Sequence, residues 1–160
     1  MKLFIVTLTL ITVIVGVLIY FMPRDLTRYA TDISASGTVS IYCRSTELKD
    51  NAENRQIVDM GCGKMVLCSV SELDETLSKC RYVDGLSVRF SGDERDVERI
   101  INLFNLQVNS TLCLDGLYVI CGNSARLRGG VIVDGCIVNV QIAYKDGVVT
   151  VGSPLILGDY

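Results

Sequence analysis

The loop CGNSARLRGG, at residues 121–130, contains the best candidate binding residues of the chain. Its glycines would let backbone N–H groups approach a bound anion, and its two arginine side chains would add positive charge. The candidate binding residues are Asn123, Ser124, Arg126 and Arg128. A polar hairpin loop with two solvated arginines explains the same composition without a ligand, so both interpretations stay open.

Thiol chemistry is the second possibility that the residue types allow. A reactive thiolate needs a nearby cation, and Cys62 with Lys64 or Cys121 with Arg126 would supply such a pair. The chain has seven cysteines and no histidine, which excludes His-dependent catalysis and imidazole metal sites. Because no two cysteines have C-x-x-C spacing and several lie in apolar runs, buried free thiols are the alternative. Neither a metal site nor a cofactor is predicted.

Two further motifs resemble functional sites without meeting their requirements. The Gly-Cys-Gly-Lys sequence at 61–64 lacks the first glycine of a phosphate-binding loop and the Ser or Thr that would follow its lysine. The acidic residues at 93–98 are expected to complement the positive end of a helix dipole, because no calcium-loop pattern is present. A glycine turn and a solvated helix start therefore explain them.

The elements that position these residues follow from the apolar spacing. Helical spacing occurs at 71–80, where Ser71 is expected to be the N-cap, and at 93–104. Alternating or continuous apolar runs predict strands at 37–44, 64–70, 86–90, 136–144 and 148–151. Three Asp-Gly pairs predict hairpin turns at 115–116, 134–135 and 146–147. The fold class is therefore α+β, with two short helices and a long antiparallel meander.

Residues 3–22 have no charged side chain and are numerous enough to cross a bilayer as a helix. A cleaved signal peptide is the rival interpretation, but its apolar region is usually shorter and no small-residue cleavage pattern follows directly. We expect an N-terminal membrane anchor at 1–23, a tether at 24–36 and a single domain at 37–160. Membrane lipid is thus the predicted partner of residues 3–22.

Charge also bears on location and partners. Basic residues flank both ends of the apolar segment, but the head before it is only two residues long, as in a signal-anchor. We therefore expect a single-pass protein of the cell membrane with its domain outside the cytoplasm. The net charge of −3, without a basic cluster, argues against a nucleic-acid partner.

Four ordered segments resemble the YwmB-like proteins of Gram-positive bacteria. They are GLSVRFSGD, GLYVICGNSARLRGG, NVQIAY and VGSPLILGDY, and the resemblance covers residues 64–160. It implies an anchored or secreted domain similar to the TATA-box-binding-protein fold, a curved antiparallel sheet with helices on one face. The chain is shorter than that pattern and matches it weakly before residue 64, which indicates one lobe with an extra strand. A DNA-binding role does not follow, because the domain is acidic.

These features predict a non-catalytic binding or scaffolding module of the bacterial cell envelope. Its partner would be a protein or a cell-wall component, bound by the sheet surface or the 121–130 loop. Two alternatives remain. One is a His-independent enzyme that uses a Cys or a carboxylate, and the other is a structural envelope protein that assembles through an exposed sheet edge.

Overall fold

Eight strands form one antiparallel sheet in the computed structural model, which describes residues 25–48 and 55–156. Two further strands lie outside this sheet, so the described residues form ten strands in all. In chain order they are β1 Thr38–Thr46, β2 Gln56–Asp59, β3 Lys64–Ser69, β4 Cys80–Ser91, β5 Gln107–Leu114, β6 Leu117–Asn123, β7 Val131–Val133, β8 Cys136–Val138, β9 Val140–Lys145 and β10 Val148–Ser153. Their order in the sheet is β2-β3-β1-β4-β10-β9-β6-β5, while β7 and β8 form a separate hairpin. The predicted α+β class with a large antiparallel sheet is confirmed.

The helices are few and short. They are α1 Ala30–Ile33, α2 Leu73–Ser78 and α3 Glu94–Phe104, with 3-10 turns at Leu26–Tyr29 and Val70–Glu72 before the first two. Helix α3 begins as predicted, since the Asp93 carboxylate accepts hydrogen bonds from the amides of Arg95 and Asp96 at 2.9 and 3.3 Å. The segment leading into α2 is capped two residues earlier than expected, because Ser69 rather than Ser71 forms the capping box with Glu72.

The segment predicted to be a tether contributes to the core. Leu26, Ala30 and Ile33 lie one helical turn apart in sequence, and each is at most 3 % exposed. The ring of Tyr29 makes an edge-to-face contact with Phe104 of α3, with 5.2 Å between the ring centroids. Residues 26–33 therefore pack with the domain, and their polar neighbours concealed this apolar spacing.

Helices and strands share one apolar core. Alternate side chains of the central strands point into it, among them Val39, Ile41, Val88 and Val151. From α3 it receives Val97, Ile100 and Phe104. Within the two described ranges, no helix is long and apolar enough to cross a membrane. The predicted anchor at residues 3–22 lies outside these ranges.

Strand β10 joins the two parts of the sheet. It pairs with β4 on one side and with β9 on the other, so that Val151 lies opposite both Val88 and Ile142. Val149 and Val151 are fully buried, and the strand has a continuous run of four buried residues. Strands β1 to β4 and strands β5, β6 and β9 are thus connected in the sheet through the final strand.

The three Asp-Gly turns are confirmed. At 115–116, 134–135 and 146–147, both residues have positive φ, near 50° for Asp and near 77° for Gly. Positive φ at both central positions defines a type I′ turn, whose twist matches that of the flanking strands. The turns close the β5–β6, β7–β8 and β9–β10 hairpins. The predicted strand at 136–144 differs, because Asn139 interrupts it and separates β8 from β9.

An ion-pair group connects α2 to the residue before β2. Glu75 accepts from Arg55 at 2.8 Å and from Lys79 at 2.6 Å. The hydrogen bond from Arg55, followed by that from Lys79, lowers the pKa of the Glu75 carboxyl from its usual 4.5 to about 2. The folded protein therefore favours the ionised form of Glu75.

This shift predicts a pH-dependent contribution to stability. Because the folded pKa lies below the unfolded one, the contribution is fully present above about pH 5 and is lost as the pH falls toward about 2. We expect Glu75→Gln to lower the urea midpoint near neutral pH and to lose this effect in acid. Glu94→Gln, on the exposed start of α3, is the control. A difference between wild type and Glu75→Gln that stays constant over this pH range would contradict the assignment.

Candidate functional site

A buried side chain holds the 121–130 loop against the sheet. Asn139, which is 2 % exposed, donates to the carbonyls of Ser124 at 2.9 Å and Leu127 at 3.2 Å, and its side-chain oxygen accepts from the Ser124 amide at 2.7 Å. Its own amide donates to the Gly122 carbonyl at 3.0 Å. Asn139 thus satisfies three loop backbone groups that are shielded from water. This explains why it interrupts the strand.

The same loop also closes the C-terminal end of α3. The Ser124 hydroxyl donates to the Phe104 carbonyl at 2.6 Å, and the Arg126 guanidinium donates to the Leu103 carbonyl. The last carbonyls of a helix have no partner inside it, and a cationic side chain also suits the negative end of the helix dipole. Ser124 and Arg126, which were predicted to bind a ligand, therefore cap α3.

The other two predicted residues are located apart from this network. Asn123 is the last residue of β6 and is half-buried. Arg128 is exposed and lines a cleft on the far side of the loop. Arg128 thus lies at the cleft, whereas Ser124 and Arg126 contact α3.

The cleft beside Arg128 has a volume of about 560 Å³. Five separate parts of the chain line it: residues 25–27 at the first helical turn, Leu77 of α2, residues 83–86 of β4, residues 128–131, and the pair 153–154 at the end of β10. A volume of this size lies within the range of known ligand pockets. A second cleft beside α3 has a similar volume of about 540 Å³, but the first one contains the predicted binding residue Arg128 and is therefore the candidate functional site.

The lining combines an apolar base with charges of both signs. Leu26 and Leu86 lie at the base and are 3 % exposed. Asp25 and Asp84 supply carboxylates, and Arg128 supplies a guanidinium. At this rim, the Asp84 carboxylate also makes an ion pair with Arg44 at 3.4 Å. A group with both apolar and charged parts matches this lining.

Glycine is required at the rim where the loop passes the β7–β8 hairpin. Gly130 has φ of 135°, and a Cβ there would lie 2.9 Å from Ile137 Cγ2 and 3.0 Å from the Val138 carbonyl oxygen. A larger residue would push the loop away from the hairpin. Gly130 therefore sets the cleft wall, whereas the sequence interpretation assigned the glycines of the loop to anion binding.

The predicted thiol pairs have other partners. The Cys62 sulfur lies 3.0 Å from the Tyr42 hydroxyl, and this hydrogen bond is the main cause of the raised pKa of Tyr42. The Cys121 sulfur accepts from the Gln141 amide at 3.6 Å. Burial, followed by the neighbouring Cys80, raises the pKa of the Cys43 thiol to about 11. Cys62 thus contacts a neutral hydroxyl. The Arg126 guanidinium, which was predicted to pair with Cys121, donates to the end of α3.

Comparison with known proteins finds no match: no family model, curated protein or solved structure corresponds to the chain. The resemblance to the YwmB-like proteins therefore stays a prediction. Asp25, Val83 and Asp84 of the cleft were not predicted from the sequence. No signal in it could have singled them out, because they come from segments far apart in the chain.

Loss of the Asn139 side chain should loosen the loop. We expect Asn139→Ala to destabilise the protein by about 2–4 kcal/mol, because it leaves buried loop groups unpaired and removes buried volume. Asn102→Ala, at an exposed position of α3, is the control and should change stability by about 0.5 kcal/mol or less. Urea unfolding of both variants measures the difference. Equal midpoints for the two variants would show that the network contributes nothing.

Proposed function

We propose that the protein is a membrane-anchored, extracytoplasmic binding or scaffolding module of the bacterial cell envelope, without catalytic activity. Its protein or cell-wall partner would occupy the cleft between residues 25–27 and 128–131. The observation that carries the proposal is that Asp25, near the predicted anchor, lines this cleft. The cleft and the anchor are thus connected by a very short stretch of chain.

The length of that stretch limits where a bound partner can lie. Only Pro23 and Arg24 separate the predicted span from Asp25. Three residue steps reach at most about 11 Å, whatever their conformation. If the span lies in the bilayer, a partner in the cleft is held beside the membrane surface. Retention of a component at this surface is a role that requires binding alone.

The cleft is lined by apolar side chains, carboxylates and a guanidinium, so its partner should carry apolar groups and charges of both signs. An extended peptide, or the peptide part of a cell-wall polymer, carries apolar side chains, charges and backbone amides together. Such a segment could place an apolar group over Leu26 and Leu86 and pair a carboxylate with Arg128. The two carboxylates at Asp25 and Asp84 would meet cationic groups of the same partner.

Two adjacent positions on β4 allow a sharp test by photo-crosslinking. Val83 lines the cleft and is 41 % exposed, whereas its neighbour Tyr82 is 73 % exposed and does not line it. We expect a photoreactive side chain at Val83, in the full-length protein in its native membrane, to form one defined adduct. The same group at Tyr82 should form little. Val83→Trp, which fills the cleft, should reduce an adduct made from a photoreactive group at Thr27.

Two outcomes would count against the proposal. Equal labelling from positions 82 and 83 would show that the cleft is not preferred over the surrounding surface. Turnover in a hydrolase screen with the purified protein, abolished by a single substitution, would show a catalytic role instead. Mass spectrometry of the adduct distinguishes a protein partner from a cell-wall component.

The thiol enzyme is the second candidate, and one observation favours it: Cys62 is exposed. A catalytic thiolate would react with iodoacetamide much faster than ordinary exposed thiols. We expect Cys62, Cys113 and Cys136, which are all exposed, to react at comparable rates. Cys43 and Cys68 should be protected, because burial raises the pKa of both thiols.

Peptide mass spectrometry after timed labelling of the native protein measures these rates. Unfolding in urea should make all seven cysteines reactive and provides the internal control. Labelling of Cys62 at least about 100 times faster than that of Cys113 would support the enzyme, since such a gap requires a strongly activated thiolate.

A further inference from the structure

Strand β5 is an edge of the main sheet, where the Asn109 side chain donates to the Ile137 carbonyl of β8 at 2.8 Å. Within the described chain it pairs only with β6, and all eight of its residues are exposed. Its sequence, QVNSTLCL, contains no charged residue and no proline. Natural proteins usually protect edge strands with charges, proline or short length, because free backbone groups there can pair with another strand.

The opposite edge of the sheet has the usual protection. Strand β2 has only four residues and ends at Asp59, and Arg55 comes directly before it. Of the two edge strands of this sheet, only β5 is both long and uncharged. The two edges also differ in their capacity for assembly, since a strand of four residues offers few hydrogen bonds.

The β5–β6 turn determines which backbone groups of β5 are free. Leu114 and Leu117 close the two-residue turn, where the first carbonyl accepts from the fourth amide. Hydrogen-bonded and non-hydrogen-bonded pairs alternate along an antiparallel ladder. Leu112 therefore directs its backbone groups toward β6, whereas Thr111 and Cys113 direct theirs away from the sheet. The pairing is regular over residues 110–114, with the irregularity confined to residues 108–110.

We propose that β5 pairs with β5 of a second copy of this chain, antiparallel, about a two-fold axis beside Leu112. In this register, Thr111 of each copy lies opposite Cys113 of the other, and their outward N–H and C=O groups form four hydrogen bonds. Leu112 lies opposite Leu112 of the second copy in a non-hydrogen-bonded pair. The eight-stranded sheets of the two copies become one continuous sheet.

The side chains of β5 suit a copy of themselves. No charge lies in residues 110–114, so self-pairing brings no like charges together. Leu112 and Leu114 are 56 % and 59 % exposed and, two residues apart, point to the same face of the sheet. The leucines of the two copies form one apolar stripe across the junction. This pairing removes from water surface that the single chain leaves exposed.

Symmetry explains why the assembly stops at two. Pairing of β5 with β5 uses the same surface on both copies and closes the assembly. Pairing of β5 with β2 would leave a free edge at each end and would continue into a filament. The short, charged β2 edge disfavours the second arrangement. The proposed dimer is independent of the cleft and of any ligand there.

Disulfide trapping tests the register in the full-length protein in detergent micelles. The background chain has serine at Cys62, Cys113 and Cys136, the three exposed cysteines. Opposed Cα atoms of a non-hydrogen-bonded pair are about 4.5 Å apart, within the range of a disulfide. Leu112→Cys should therefore form covalent dimers under a mild oxidant. Leu114→Cys should not, because the two copies of residue 114 are about 14 Å apart along the strands.

Sedimentation equilibrium of the unoxidised protein provides a test that does not depend on trapping. We expect wild type to have twice the mass of one chain and Leu112→Lys to have the mass of one chain, since it opposes two ammonium groups at the axis. Met60→Lys, at an exposed apolar position near β2, should remain dimeric. Circular dichroism confirms that the variants fold.

Several results would overturn the proposal. In sedimentation, they are a single-chain mass for wild type at about 100 µM, a dimer that persists in Leu112→Lys, or large assemblies that Met60→Lys dissolves. In disulfide trapping, the contradicting result is equal formation of covalent dimers from Leu112→Cys and Leu114→Cys. A monomer whose Leu112 crosslinks in cells to a different protein would show that β5 takes a foreign strand instead.

Discussion

The described fold depends on the insertion of β10 between β4 and β9. Four strands lie on one side of it and three on the other, and it alone forms ladders with both groups. Its buried valines place apolar side chains from both groups in one core. Without this strand, β4 and β9 would each have an unpaired edge. Ser153, the last residue of this strand, also lines the cleft together with Pro154.

The 121–130 loop both packs against the fold and forms part of the cleft surface. One end of the loop is held by Asn139 and by the carbonyls of α3, while its other end forms a wall of the cleft. A loop fixed in this way loses little conformational entropy when a partner binds, because the fold has already ordered it. Arg128 is therefore carried on a rigid support, although it is a surface residue in a glycine-rich sequence.

The sequence predicted those elements whose signals are local. The acidic start of α3, the Asp-Gly turns and the alternation in β1 each depend on residues within a few positions of one another. The path of residues 26–33 was not predicted, because three small or apolar residues among charged neighbours give a weak signal until α3 lies beside them. Asn139 was assigned to a strand face for the same reason, since its partners are distant in sequence. The role of Ser124 depends on the end of α3, which no spacing within the loop reveals.

The position of β10 also has a consequence for how the protein is made. The hairpins that the Asp-Gly turns close can form early, because their partners are adjacent in the chain. Strand β4 can pair with β10 only after α3 and five further strands have been synthesised, because β10 follows them in the chain. A nascent chain therefore exposes this edge of β4 from the synthesis of Ser91 until that of β10, which begins at Val148, and a chaperone that shields extended strands would protect it during that interval.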